Sequence, residues 1–196
     1  MNFLGHAYLS GTETGILTGN FIGDFVKGKQ KDYFPPAIQN GIALHREIDN
    51  FTDTHPVVKQ SKKRLQSKYR HYAPVIVDMF YDHFLAANWN NWHTESLEKY
   101  TESIYEQLAS EPALLPDQFN YMLSYMRKTN WLLGYAEIEG IHAALSGMAR
   151  RTKFASGMET ASVDLEANYD AYGEEFAAFF PDIINFVNKF EFVKPL

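Results

Sequence analysis

A chain of 196 residues with 45% hydrophobic, 15% aromatic and 21% charged residues has the make-up of an ordinary globular domain, which excludes a disordered chain. A formal net charge of −6 argues against a general nucleic-acid binder, whose surface has to neutralise phosphates. Without cysteine there is no disulfide, thiolate metal site or cysteine nucleophile; the first twenty residues do not read as a signal peptide, no run reaches membrane-span length, and a cytoplasmic location is expected.

Along the chain the apolar spacing is helical almost throughout. Residues 11–15 read as a loop, and residues 18–26 as a helical pattern. Pro35 and Pro36 suit the first turn of a helix running to about Phe51; Pro56 opens the next and Pro74 another, over residues 75–89. With Thr94 as N-cap, Leu97, Tyr100, Ile104 and Leu108 mark a helix over residues 95–108. Pro116 begins a further helix. Residues 148–157 are polar and basic and predict a mobile connection. Leu165, Tyr169, Tyr172, Phe176 and Phe179 repeat the helical spacing, and Pro181 is expected to begin the last helix. No alternating runs flank Asn-Gly or Asp-Gly turns, so hairpins are not expected. The fold class predicted is all-α: eight to ten helices in a single-domain multi-helix bundle spanning residues 1–196.

Acids, amides and imidazoles are concentrated in the first half. Asn20 and Asp24, His45 and Asp49, and Asp78 and Asp82 are each four residues apart within helical patterns, with His6 near the start and His83 beside Asp82. Residues at i and i+4 share one helix face, about 40° apart about the axis, so each pair is able to aim at one spot. Carboxylates gathered among Phe21, Phe25, Phe80 and Phe84 repel one another, and a divalent cation removes that repulsion. Mixed imidazole and carboxylate donors suit Mn, Fe, Zn or Mg. Each residue also has a plainer role: a histidine on an apolar face is commonly hydrogen-bonded core, Asp24 suits the surface, Asp78 suits a neighbouring helix end, and Asp53 suits a cap for the next helix.

Asn2-Phe3-Leu4-Gly5-His6, Gly19-Asn20-Phe21-Ile22-Gly23-Asp24-Phe25-Val26-Lys27-Gly28, His45-Arg46-Glu47-Ile48-Asp49, Thr52-Asp53 and Asp82-His83-Phe84-Leu85 together resemble the acyl carrier protein phosphodiesterases. The resemblance is densest over residues 2–90. It implies a helical, HD-domain-like fold distantly related to the HD-type metal phosphohydrolases. It also implies hydrolysis of the phosphodiester joining 4′-phosphopantetheine to a serine of holo acyl carrier protein, with Mn²⁺ or a similar divalent ion (Mg²⁺, Fe²⁺ or Zn²⁺). The sequence departs from the wider superfamily in having no His-Asp dipeptide, only the reversed Asp82-His83 and the spaced His45 and Asp49. The residues carried over are therefore His6, Asp24, His45, Asp49, Asp82 and His83.

In this light His6, Asp24, His45, Asp49 and Asp82 form the expected ligand pool. Asp78 or His83 is the expected base or ligand-orienting partner, and Arg46 a candidate fork for the phosphate. Residues 54–77 hold no acid but carry Lys59, Lys62, Lys63, Arg64, Lys68 and Arg70, against 12 basic and 24 acidic residues elsewhere. A basic helix on an acidic chain predicts a docking surface for an acidic carrier protein, the alternative being a solvated lysine-rich face. Partners in nucleic acid or membrane are not expected. Two rival functions remain: an HD-like phosphohydrolase of a small ester or nucleotide, and a non-enzymatic helical interaction protein.

Overall fold

Proline sets where several helices begin. Pro36, Pro56 and Pro74 occupy first turns, where the missing N–H has no helical acceptor to lose and φ is already helical. The structure, a computed structural model, describes residues 1–195. It comprises α1 (Phe3–Leu9), α2 (Thr14–Ile22), α3 (Pro36–Thr54), α4 (Pro56–Tyr69), α5 (Ala73–Ala87), α6 (Leu97–Ala109), α7 (Asp117–Thr129), α8 (Trp131–Gly134), α9 (Ile138–Arg151), α10 (Ala161–Ala167) and α11 (Tyr169–Val187), with short 3-10 turns between them. Among the described residues there is no strand, and the all-α expectation holds. The described residues form eleven helices rather than eight to ten because α8 and α10 are too short to show two turns of periodicity.

Three local expectations differ from the structure. The N-cap of α6 is Ser96, whose hydroxyl accepts from the Lys99 N–H, rather than Thr94. Residues 148–151 continue α9 and only the following segment is irregular. Pro181 lies inside α11 instead of starting a helix. Both Pro181 and Ala177, the carbonyl left without a donor, are exposed, so water replaces the lost bond.

At the centre lies α5, where Ile76, Val77 and every residue from Met79 to Ala86 are buried; it packs against α1, α4, α9 and α11. A helix apolar on nearly all sides belongs inside a bundle. The closest pairing is α2 with α3. There Gly19 and Gly41 face each other: a Cβ on Gly19 would lie 2.1 Å from the Ile38 carbonyl oxygen and 2.8 Å from the Gly41 Cα. Two missing side chains let these backbones meet, which brings Asn20 and His45 onto neighbouring surfaces. Among the described residues, no helix is long and apolar enough to cross a membrane.

Candidate metal centre

The site is built from three helices and one turn. His6 sits in the last turn of α1, Asn20 on α2, and His45 and Asp49 one turn apart on α3. Gly23 stands against the His45 ring, 2.4 Å from where a Cβ would be, so only glycine leaves room for that ring. The His6 and His45 imidazoles stack with centroids 4.4 Å apart and planes 26° apart. Their Nε2 atoms both face Asp49: His6 Nε2 is 3.2 Å from Oδ1 and His45 Nε2 is 3.2 Å from Oδ2. Asp24 adds a second carboxylate oxygen 3.2 Å from His45 Nε2. One donor atom each from His6, His45 and Asp49 lie within 4.8 Å of one another.

Hydrogen bonding decides which nitrogen of His6 is free. The Asn20 amide nitrogen donates to the His6 carbonyl and to Ser10 Oγ, which fixes its orientation. Asn20 Oδ1, 2.6 Å from His6 Nδ1, must therefore accept a proton from that nitrogen. Neutral His6 is left with a bare Nε2 lone pair pointing at a carboxylate, a repulsive contact that a cation between them turns attractive. His45 has no such support, since its buried Nδ1 has no partner among the described residues. Its tautomer is set instead by the two carboxylates at Nε2, which one N–H cannot serve equally.

The charges follow. Burial disfavours a protonated His45, but the hydrogen bonds and charges of Asp24 and Asp49 outweigh it and raise its pKa to about 9. Burial, together with the His45 charge, lowers His6. Burial would raise Asp49, but the hydrogen bond and charge of His45 hold it well below the usual carboxylate range. Asp24 is also lowered, chiefly by its bond to His45. Without metal, the cluster holds one positive imidazole between two carboxylates. A divalent ion would fit the same place in exchange for that proton: two imidazole nitrogens and one carboxylate, with Asp24 beside them, match the donors such ions take.

The other expected residues are not among these converging donors, although Asp78 lines the same cleft. Asp82 is fully buried and accepts three backbone N–H bonds at the start of α1: from Asn2 (3.0 Å) and Gly5 (3.2 Å) on Oδ1, and from Leu4 (2.8 Å) on Oδ2. Both oxygens are engaged by the helix start, so Asp82 is an anchor for α1 and not one of the converging donors. Burial pushes it up to about 7 against the pull of the Met1 ammonium and these N–H bonds. Asp78 pairs with the Met1 ammonium at 2.8 Å. The His83 ring is held by the Tyr135 carbonyl and the Tyr169 hydroxyl, each at 2.9 Å, a core histidine away from the cluster. Arg46 donates to the Val26 carbonyl at 3.3 Å.

Above the cluster opens a cleft of about 970 Å³, whose walls include Asp24, Phe25, His71, Tyr121, Tyr125 and Arg151. Among the described residues, Arg151 is the only lysine or arginine lining it, and His71 the only imidazole outside the cluster. Sequence reasoning passed over Asn20 as an orienting group, although its spacing from Asp24 drew attention to it. Arg151 and His71 carried no signal, because both reach the cleft through tertiary packing.

A family model for acyl carrier protein phosphodiesterase matches residues 1–183. The chain belongs to the acyl carrier protein phosphodiesterase family. Three relatives bearing that name are similar along almost their whole length. That of Photorhabdus laumondii is 34% identical over 92% of both chains. That of Escherichia coli O6:H1 is 33% identical over 92% of this chain and 94% of its own. That of Yersinia enterocolitica is 34% identical over 94% and 96%. No solved structure matches the chain. In this family member the converging imidazoles and carboxylates all fall within the matched residues.

The six cations of the basic segment do not form one free surface. Arg64 makes a bidentate pair with the buried Glu175 at 2.7 and 2.9 Å and lies over the Tyr172 ring. Lys62 pairs with Asp53 at 2.5 Å and Lys68 with Asp164 at 2.7 Å. Lys59, Lys63 and Arg70 are exposed and make no ion pair among the described residues. The segment lacks acids in sequence, but α3, α10 and α11 supply them in space.

Proposed function

We propose that the chain hydrolyses the phosphodiester linking 4′-phosphopantetheine to a serine of holo acyl carrier protein, releasing apo carrier protein and 4′-phosphopantetheine. The observation that carries this reading is the convergence of His6, His45 and Asp49 on one point at the floor of an open cleft, in a chain of this family. A divalent ion, Mn²⁺ foremost and Mg²⁺, Fe²⁺ or Zn²⁺ as alternatives, supplies Lewis-acid polarisation of the phosphoryl group and a water of lowered pKa.

The protein's own part is positioning and proton transfer. His6, held in one tautomer by Asn20, His45 and Asp49 are the donors that hold the ion. Asp24, with 79% of its side chain exposed, either completes that set or takes the proton of the attacking water. Arg151, facing the same cleft, replaces Arg46 as the cation for the phosphoryl oxygens. Water attacks phosphorus, the bond from phosphorus to the serine oxygen breaks, and that oxygen takes a proton for which His71 is the available donor. Thr52 and Asp53 before α4, and His71 after it, line the cleft, and the exposed cations Lys59, Lys63 and Arg70 lie in the segment between them. They suit an acidic carrier whose long prosthetic arm reaches in.

Purified protein incubated with holo carrier protein and Mn²⁺ tests the reading. Loss of the phosphopantetheine mass from the carrier supports it. A carrier left intact while small phosphate esters are hydrolysed selects the small-ester phosphohydrolase instead.

A further inference from the structure

A second cavity, of about 570 Å³, lies beside the cleft. Phe3, Trp131, Met148 and Arg151 are walls of both, so the two spaces adjoin across these side chains. Tyr135 lines the inner space. The residue is 2% exposed, and its hydroxyl makes no hydrogen bond among the described residues. Other buried tyrosines are spoken for: Tyr81 bonds Ser61, Tyr105 accepts from the Leu132 N–H, and Tyr69 donates to Asp164. The hydroxyls of Tyr100 and Tyr172 also lack partners, but they are sealed in the core. Tyr135 instead belongs to a cavity wall.

The same wall is kept open by glycines that the backbone does not demand. A Cβ on Gly134 would meet nothing within 4 Å, and one on Gly147 would meet only the Arg150 guanidinium at 3.8 Å. Neither has a positive φ. Glycine inside a helix such as α9 weakens it, so these positions owe nothing to helix stability. Their consequence is a slot that side chains would otherwise fill.

We propose that this second cavity binds the distal, amide-bearing part of the substrate's arm, with the Tyr135 hydroxyl donating to an amide carbonyl. The proposal rests on the carrier-protein reading above. An arm of short alkyl links and amides suits a mostly apolar slot with a few polar groups, Tyr135 and Asn130 among them. Burial raises the Tyr135 pKa well above its ordinary value, which keeps the phenol protonated as that donor. Arg151 lines both spaces, so an arm whose phosphate lies in the cleft has the slot beside it for its other end.

Pantetheine, which has the arm but no phosphate, is the direct probe. Its binding to metal-free protein is measured by calorimetry for wild type, Tyr135→Phe and Gly147→Leu, beside hydrolysis of holo carrier protein and of bis(p-nitrophenyl) phosphate with Mn²⁺. Loss of one neutral hydrogen bond in Tyr135→Phe should weaken pantetheine roughly 3- to 10-fold and raise KM for the carrier similarly. Gly147→Leu should abolish pantetheine binding. Both should leave Mn²⁺ affinity and hydrolysis of the small diester unchanged. Unchanged pantetheine affinity in both variants, or no binding by wild type, overturns the proposal. If Gly147→Leu fails to fold by circular dichroism, the near-isosteric Tyr135→Phe decides alone. A wild type that binds pantetheine in this slot yet does not cleave holo carrier protein refutes the proposed activity and leaves the slot standing.

Discussion

Asp82→Asn separates an anchor from a ligand. In the structure the carboxylate satisfies three backbone N–H groups of residues 2–5, with Oδ2 serving Leu4 alone. An asparagine keeps one oxygen, enough for Asn2 and Gly5, and turns an NH₂ toward the Leu4 N–H. One buried N–H then faces a donor, at a cost of about 1–3 kcal/mol, and the charge-assisted character of the other two bonds is lost. A total of roughly 2–4 kcal/mol is expected, which in a domain of this size lowers Tm by roughly 5–15 °C. His6 lies on the same short helix, so a loosened α1 should also weaken Mn²⁺ binding, roughly 10- to 100-fold as for other ligand-supporting groups. The assay is thermal unfolding of metal-free protein at pH 8, where Asp82 is ionised in the wild type, followed by Mn²⁺ titration. If Tm is unchanged while Mn²⁺ binding disappears, Asp82 is a ligand and the anchoring role is refuted.

Further outcomes follow from the same geometry. His45→Ala and Asp24→Ala should retain helicity; the first should abolish Mn²⁺ binding and turnover, and wild-type activity in both would defeat the mechanism. Because His45 has a pKa of about 9 without metal, ion binding at pH 7 should release about one proton, read as a buffer-dependent calorimetric enthalpy that vanishes above pH 10. The same raised pKa means that the metal-free protein gains stability from His45 fully below pH 6.5 and loses it as pH rises from 6.5 to 9, so its Tm should fall across that window. Arg151→Gln should raise KM for holo carrier protein about tenfold with Mn²⁺ affinity unchanged; an unchanged KM would remove Arg151 from the phosphate site. Lys59, Lys63 and Arg70 reversed together to Glu should raise the carrier KM and flatten its salt dependence, whereas Arg64→Glu should cost about 3–5 kcal/mol of stability by stranding Glu175.

The fold class was legible because helical spacing and prolines recur from end to end, and the two donors on α3 were legible because i and i+4 in a continuous helix must share a face. The Asn20 and Asp24 pair shows where that inference stops. α2 ends at Ile22 and Gly23–Phe25 is a 3-10 turn, so Asp24 swings outward to meet His45 while Asn20 stays behind His6. Asp78 and Asp82 do share a face, but that face meets the start of α1, and spacing alone does not say which element a helix will pack against. Arg64 was read as free from an acid-poor stretch, yet its partner Glu175 lies 111 residues away. Neighbours in sequence report local geometry; which charges meet is settled by packing.

The claim at the centre is that His6, His45 and Asp49 together hold a divalent ion. Pulsed electron paramagnetic resonance of the Mn²⁺-loaded protein reads it directly through nitrogen couplings. Two imidazole nitrogens are predicted in the wild type, one in His6→Ala, and no tightly bound Mn²⁺ in Asp49→Ala. Stoichiometric Mn²⁺ without nitrogen coupling, or binding indifferent to Asp49→Ala, would contradict it.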